Sequence, residues 1–92
     1  MKVLFHYFGQ LREITTINNE EFYLTEEETL INTLLKLADS YDKSFRHIMF
    51  DESGNLRPSM IILVNGSTIK TNKPPELHDG DEIALLTPIA GG

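Results

Sequence analysis

The sequence contains no cysteine. That excludes a disulfide framework, a thiolate nucleophile, a cysteine-based zinc site and a carrier working through its own thiol. Basic residues are scarce: 8 Lys+Arg stand against 14 Asp+Glu, a formal charge of −6. Nucleic-acid binders need a basic patch to displace counterions, so no nucleic-acid partner is expected. The acidic balance suits a partner with a basic docking face, and equally suits plain solubility. No apolar run approaches membrane-spanning length, so no membrane partner is expected. The opening Met1-Lys2-Val3-Leu4-Phe5-His6 has no signal-peptide architecture, and the expected location is cytoplasmic. His6, His47 and His78 fall at no metal-ligand spacing. No motif orders Ser, His and Asp into a triad, and no glycine-rich phosphate loop follows a strand. The expectation is therefore a protein with no metal, no bound cofactor and no catalysis of its own.

What is present fits one domain spanning residues 1–92. Two fifths of the 92 residues are apolar, enough for one modest core. Lys2 to Phe8 reads as a strand, with Val3, Phe5 and Tyr7 on one face and Leu4, His6 and Phe8 on the other. Gly9 then permits a turn. Asn18-Asn19 marks a loop before a short strand over 21–25, with Phe22 and Leu24 on one side. A helix follows, because Leu30, Leu34, Leu37 and Tyr41 recur at helical spacing, flanked by Ile31 and Ala38. Two starts compete for it: Thr25 with Glu28 as a capping box, or Thr29 as the N-cap. Phe45, Ile48, Met49 and Phe50 form one amphipathic turn, and Asp51 to Asn55 is turn chemistry. The apolar run Met60 to Val64 is a strand ended by Asn65-Gly66, a strong hairpin signal, with Ser67 to Lys70 returning. Pro74-Pro75 is a loop, Asp79-Gly80-Asp81 a tight turn, and Glu82 to Thr87 the last strand. This order gives an α+β fold, a mixed sheet with one main helix packed on one face.

Two features point to function. The first is the tail Thr87-Pro88-Ile89-Ala90-Gly91-Gly92, following directly on a strongly apolar strand. Pro88 lacks an N–H and ends the strand's ladder. In extended form Pro88 to Gly92 reaches about 16–18 Å. Gly91 and Gly92 carry no side chains, so the tail fits a narrow channel. The reactive group is the α-carboxylate of Gly92. It is a poor electrophile and needs activation by a partner enzyme that uses a nucleotide. The second feature is the sheet. Met60–Val64 and Ile83–Leu86 are apolar at successive positions, so both faces carry apolar groups while one helix covers only one. Either a partner covers the other face, with Phe8 and Leu86 as candidate contacts, or residues 42–59 or the local twist bury it.

The segments Phe8-Gly9-Gln10-Leu11-Arg12-Glu13-Ile14, Thr29-Leu30, Val64-Asn65-Gly66 and Leu77-His78-Asp79-Gly80-Asp81-Glu82-Ile83-Ala84, together with the tail, resemble the MoaD/ThiS group of ubiquitin-like sulfur carriers. The likeness is nearest to MoaD, the small subunit of molybdopterin synthase, in its archaeal form. The resemblance implies a ubiquitin-like β-grasp. It also implies a cycle in which a MoeB-like, E1-type enzyme adenylates Gly92 with ATP. Sulfur from a donor then replaces AMP as a thiocarboxylate. The tail next inserts into a MoaE-like large subunit, and the sulfur passes to a molybdopterin precursor in molybdenum cofactor biosynthesis. By the same resemblance Gly92 bears the sulfur, Gly91 provides clearance, and Thr87, Pro88, Ile89 and Ala90 form the docking segment. Thr87 stands where the family usually has proline. The long segment Asp51 to Pro58 is similar to archaeal members that also act as protein modifiers or donate sulfur for tRNA thiolation.

Overall fold

The computed structural model describes residues 1–70 and 72–87. The tail residues Pro88, Ile89, Ala90, Gly91 and Gly92 lie outside them. Eight elements follow in order: β1 (Lys2–Tyr7), α1 (Gly9–Thr15), β2 (Asn19–Tyr23), α2 (Leu30–Asp39), α3 (Lys43–Met49), β3 (Ile61–Val64), β4 (Ser67–Thr68) and β5 (Glu82–Leu86). The sheet order is β2-β1-β5-β3-β4. β1 and β5 run parallel at its centre, and every other pair is antiparallel. This is the β-grasp topology.

Alternation on the strands decides which side is buried. Val3, Phe5, Tyr7, Ile62, Ile83 and Leu85 all point into one cluster. Leu11 of α1, Leu30, Leu34 and Leu37 of α2, and Phe45 and Met49 of α3 close over them. The amphipathic turn expected near Phe45 is thus a full helix, and it packs on the same side as α2. Residues 42–59 do not bury the second face.

Local signals settle the competing starts of α2. Thr29 Oγ1 accepts from the Asn32 N–H at 3.1 Å, so Thr29 is the N-cap. Glu28 does not reach back in a capping box, because its carboxylate pairs with Lys36. Tyr41 falls just beyond the helix instead of in its stripe, yet stays half-buried. The second strand begins two residues earlier than expected. A shift of two preserves parity, so Phe22 still packs on the core and Leu24 is still buried. The first strand ends at Tyr7, although the Phe8 N–H still donates to the Leu85 carbonyl at 3.2 Å. The last strand ends at Leu86, not Thr87.

Two sequence motifs interlock. Asn65 and Gly66 take φ of 51° and 85°, the left-handed pair that a two-residue hairpin requires. Asn65 Nδ2 donates to Asp81 Oδ1 at 2.8 Å, and the Glu82 N–H donates to Asn65 Oδ1 at 2.9 Å. Asp81 Oδ2 also accepts from the His78 N–H at 2.7 Å. These bonds pin the β3–β4 hairpin to the start of β5, and so fix where β5 sits between its neighbours.

The turn expected at Gly9 opens α1, which the sequence pattern misses. Phe8 offers no side-chain cap, and the helix ends on Thr16 at φ 62°. A β-branched residue in the left-handed region is strained. Thr16→Gly is expected to stabilise the fold by about 0.5–1 kcal/mol, relief of strain outweighing the extra chain entropy of glycine. A midpoint of unfolding equal to or below that of the wild type would contradict this.

Candidate partner face and tail root

With all three helices on one side, the opposite face of the central strands is left to solvent among the described residues. β1 presents Leu4 and His6 there, β5 presents Glu82, Ala84 and Leu86, and β3 presents Ile61 and Leu63. The register sets them in rows. Leu4 lies beside Glu82, Ala84 sits between His6 and Leu63, and Ile61 lies beside Leu86. Ile61 is 42% exposed, and Phe8, at the end of β1, is 46% exposed. Leu4, Leu63, Ala84 and Leu86 are half-buried. Exposed apolar side chains gathered in one patch mark a contact surface more often than isolated ones do.

One polar pair interrupts this surface. His6 Nε2 lies 2.8 Å from Glu82 Oε1. The pair lines a shallow hollow of about 310 Å³ with Leu63, Ala84, Asn65 and Gly66. Toward β2 the face carries the Lys2–Glu21 pair at 2.7 Å and the exposed Tyr23 beside Lys2.

Phe8 and Leu86, the residues expected at a partner surface, therefore both reach solvent on or beside this face. Leu4, Ile61, Leu63 and Ala84 belong with them. The alternation of β1 already places Leu4 outward. The β3 and β5 positions become visible only through register, because continuous apolar runs do not say which residue faces which way. Thr87 follows β5 directly and stands half-buried, its hydroxyl buried without a hydrogen-bond partner among the described residues. The remaining predicted site residues, Pro88, Ile89, Ala90, Gly91 and Gly92, lie outside the described residues, so only the root of the tail is placed. That root is the edge of the apolar face at Leu86 and Ile61.

Elsewhere the ionisable side chains serve the fold. Tyr7 and Tyr41 both donate to Glu20 Oε1, Tyr41 at 2.6 Å. Burial first, and the Glu20 carboxylate second, push both phenols up, Tyr41 to about 12. They stay protonated donors, which ties β2 to β1 and to the end of α2. Among the described residues no group of three or more His, Asp or Glu side chains is placed to hold a metal ion. No helix among the described residues is long and apolar enough to cross a membrane.

The sequence and the fold match known proteins. Residues 5–92 match the model of the ThiS family. The solution structure of small archaeal modifier protein 1 from Methanosarcina acetivorans is 32% identical, superposes with a TM-score of 0.78, and is matched over 99% of this chain and 96% of its own. Small archaeal modifier protein 3 of Haloferax volcanii is 24% identical over 100% of both chains. A chain from the protein–protein complex of subunits 1 and 2 of the molybdopterin-converting factor of Helicobacter pylori shares the fold, at 24% identity over 100% of both chains and a TM-score of 0.57. With nearly the whole sequence inside the family match, and with the β-grasp its relatives share, the chain belongs to the ThiS family of ubiquitin-like sulfur carriers.

Proposed function

We propose that the chain carries sulfur on Gly92 as a thiocarboxylate and delivers it in molybdenum cofactor synthesis. The observation that carries this reading is the open apolar face ending at Leu86, where the Gly-Gly tail begins. A surface that docks a partner beside a thin tail lets the partner take the tail into its active site. In the first step a Gly92 carboxylate oxygen attacks the α-phosphorus of ATP on a MoeB-like, E1-type enzyme, and pyrophosphate leaves. A sulfur nucleophile from the donor then attacks the acyl carbon, and AMP leaves. A MoaE-like large subunit next binds the same face and receives the tail. The thiocarboxylate sulfur attacks an electrophilic carbon of the acceptor and displaces its leaving group. Water then hydrolyses the acyl–sulfur bond, leaving the sulfur on the acceptor and Gly92 as a carboxylate. The nucleotide stays with the activating enzyme, and the whole cycle is cytoplasmic. The fold shared with the subunit complex from Helicobacter pylori supports a large-subunit partner.

A second reading has its own support. The 32% identity to a small archaeal modifier protein favours a chain that joins Gly92 to lysine amines on other proteins. Activation is the same in both readings, and only the acceptor differs. Intact-mass spectrometry of the protein, gently purified from its native cells, separates them. A mass rise matching one oxygen replaced by sulfur at Gly92 supports the carrier. Peptides with a Gly92–lysine isopeptide bond and no thiocarboxylate would instead assign the modifier role. Neither species, in cells where these pathways run, would remove both.

The docking face has a separate test. Ile61→Asp places a charge at the edge of the patch nearest the tail root. Ile61 is exposed, so folding stability should fall by no more than about 1 kcal/mol. Burying that unpaired charge against a partner should raise KM for the activating enzyme about tenfold or more. An unchanged KM would show that the enzyme docks elsewhere.

A further inference from the structure

We infer that Gly9 is a positioning residue for the C-terminal tail, its bare Cα being the seat against which Thr87 rests as the chain leaves the sheet. This rests on the carrier reading and adds to it a determinant of where the tail starts.

The geometry comes from the parallel pair at the centre of the sheet. Tyr7 lies beside Leu85, so two residues further on Gly9 lies beside Thr87. The last rung of the ladder given by the described residues is the Phe8 N–H to Leu85 carbonyl bond. Past it Gly9 opens α1, and Thr87 is the last described residue after β5. Gly9 makes its turn at φ +59°, a conformation that L side chains rarely adopt. A Cβ added there would stand 2.9 Å from Thr87 Oγ1, closer than real Cβ atoms approach.

Thr87 fills that space at a cost. Its hydroxyl is buried and has no hydrogen-bond partner among the described residues. An unpaired buried hydroxyl destabilises a fold, and in a native structure it calls for an explanation. Gly9 and Thr87 belong neither to the hairpin interlock nor to the core cluster. The effect of their contact is to hold the end of β5 tight against the β1–α1 turn, at the border of the apolar face. The backbone position of Thr87 is also the starting point of residues 88–92. A side chain at position 9 must displace the Thr87 hydroxyl, and it moves that starting point to the extent that the Thr87 backbone follows its side chain. Small displacements of a reacting group within an active site lower rates steeply, whereas the docking face would be untouched. The signature of the seat is thus a fall in kcat at constant KM.

A double-mutant cycle tests this: wild type, Gly9→Ala, Thr87→Ala and the double variant carrying both, assayed by pyrophosphate exchange with the cognate activating enzyme. Assays run at a temperature where circular dichroism shows all four folded, because the positive φ strains alanine at position 9 in both backgrounds. Gly9→Ala is expected to lower kcat about tenfold or more when Thr87 is present. In the Thr87→Ala background, where the hydroxyl is gone, adding Gly9→Ala is expected to lower kcat less than about twofold further, and within each background the Gly9 substitution leaves KM steady. An equal loss in both backgrounds assigns the effect to backbone strain and overturns the seat. No loss in either background overturns it as well. A wild-type chain that accepts no adenylate overturns the carrier reading itself. In the wild type, a nuclear Overhauser contact between the Gly9 α-protons and the Thr87 side chain is expected, and its absence also overturns the seat.

Discussion

Gly91→Val is expected to lower Gly92 adenylation and thiocarboxylate formation by about a hundredfold or more while the unfolding midpoint stays at the wild-type value. The two halves of that result have separate causes. At the end of a chain a side chain meets little packing, so folding stability has no reason to change. In a partner's channel a β-branched residue needs width beside the backbone and narrows the dihedrals available there. It also closes the positive-φ conformations that glycine enters freely. An α-carboxylate, ionised above a pKa of about 3.3–3.7, attacks phosphorus only when held in line with it. The measurement is pyrophosphate exchange with the activating enzyme, beside thermal unfolding of both proteins. Equal exchange rates would remove tail threading from the mechanism. A lowered midpoint with unchanged exchange would place Gly91 in the folded domain instead.

The parts of this fold that are legible in the sequence are those encoded by near neighbours. The inward set Val3, Phe5 and Tyr7 follows from period-two alternation, and all three are buried. Thr29 is one of the two caps the sequence offers for α2, and Asn65-Gly66 announces the hairpin, because caps and primed turns depend on one or two residue types. Helix α1 escapes the same reasoning for physical reasons. It is seven residues long, too short for a periodic stripe, and it has neither a capping side chain at Phe8 nor a glycine at its end. The interlock of Asn65 with Asp81 joins residues 16 positions apart, and the pairing of Leu4 with Glu82 joins the two ends of the chain. No local pattern carries such pairings, so the β-grasp topology becomes legible only through family resemblance. The candidate site divides in the same way. Phe8 and Leu86 are visible as apolar residues at strand ends. Ile61, Leu63 and Ala84 join them only through cross-strand register, and Gly9 enters only through its distance to Thr87.

Phe45→Ala is the second large effect, an expected loss of about 3–5 kcal/mol in folding stability. Phe45 is 0% exposed. Its ring stacks on Tyr41 at 4.9 Å and meets Tyr7 edge-on at 6.0 Å. Such aromatic pairs add about 0.5–1.5 kcal/mol beyond the area they bury. Truncation leaves a cavity between β1, α2 and α3 that the neighbours cannot fill, because the Tyr7 and Tyr41 hydroxyls are held by Glu20. A domain of this size has only about 5–15 kcal/mol of stability in total, so the variant should sit close to unfolding at physiological temperature. Urea titration measures the loss, and an unchanged m-value would show that the unfolding reaction is still the same one. Ile48→Ala, in the same helix but only half-buried, should lose markedly less. The comparison bears on function as well as stability. Phe45 fixes α3 on the inner side of the sheet, and that placement leaves Leu4, Ile61, Leu63 and Ala84 open on the other side. If Phe45→Ala lost less than about 1 kcal/mol, the usual range for exposed positions, α3 would not be anchored where it lies. Residues 42–59 would then be free to cover the outer face, and the docking surface beside the tail would lose its basis.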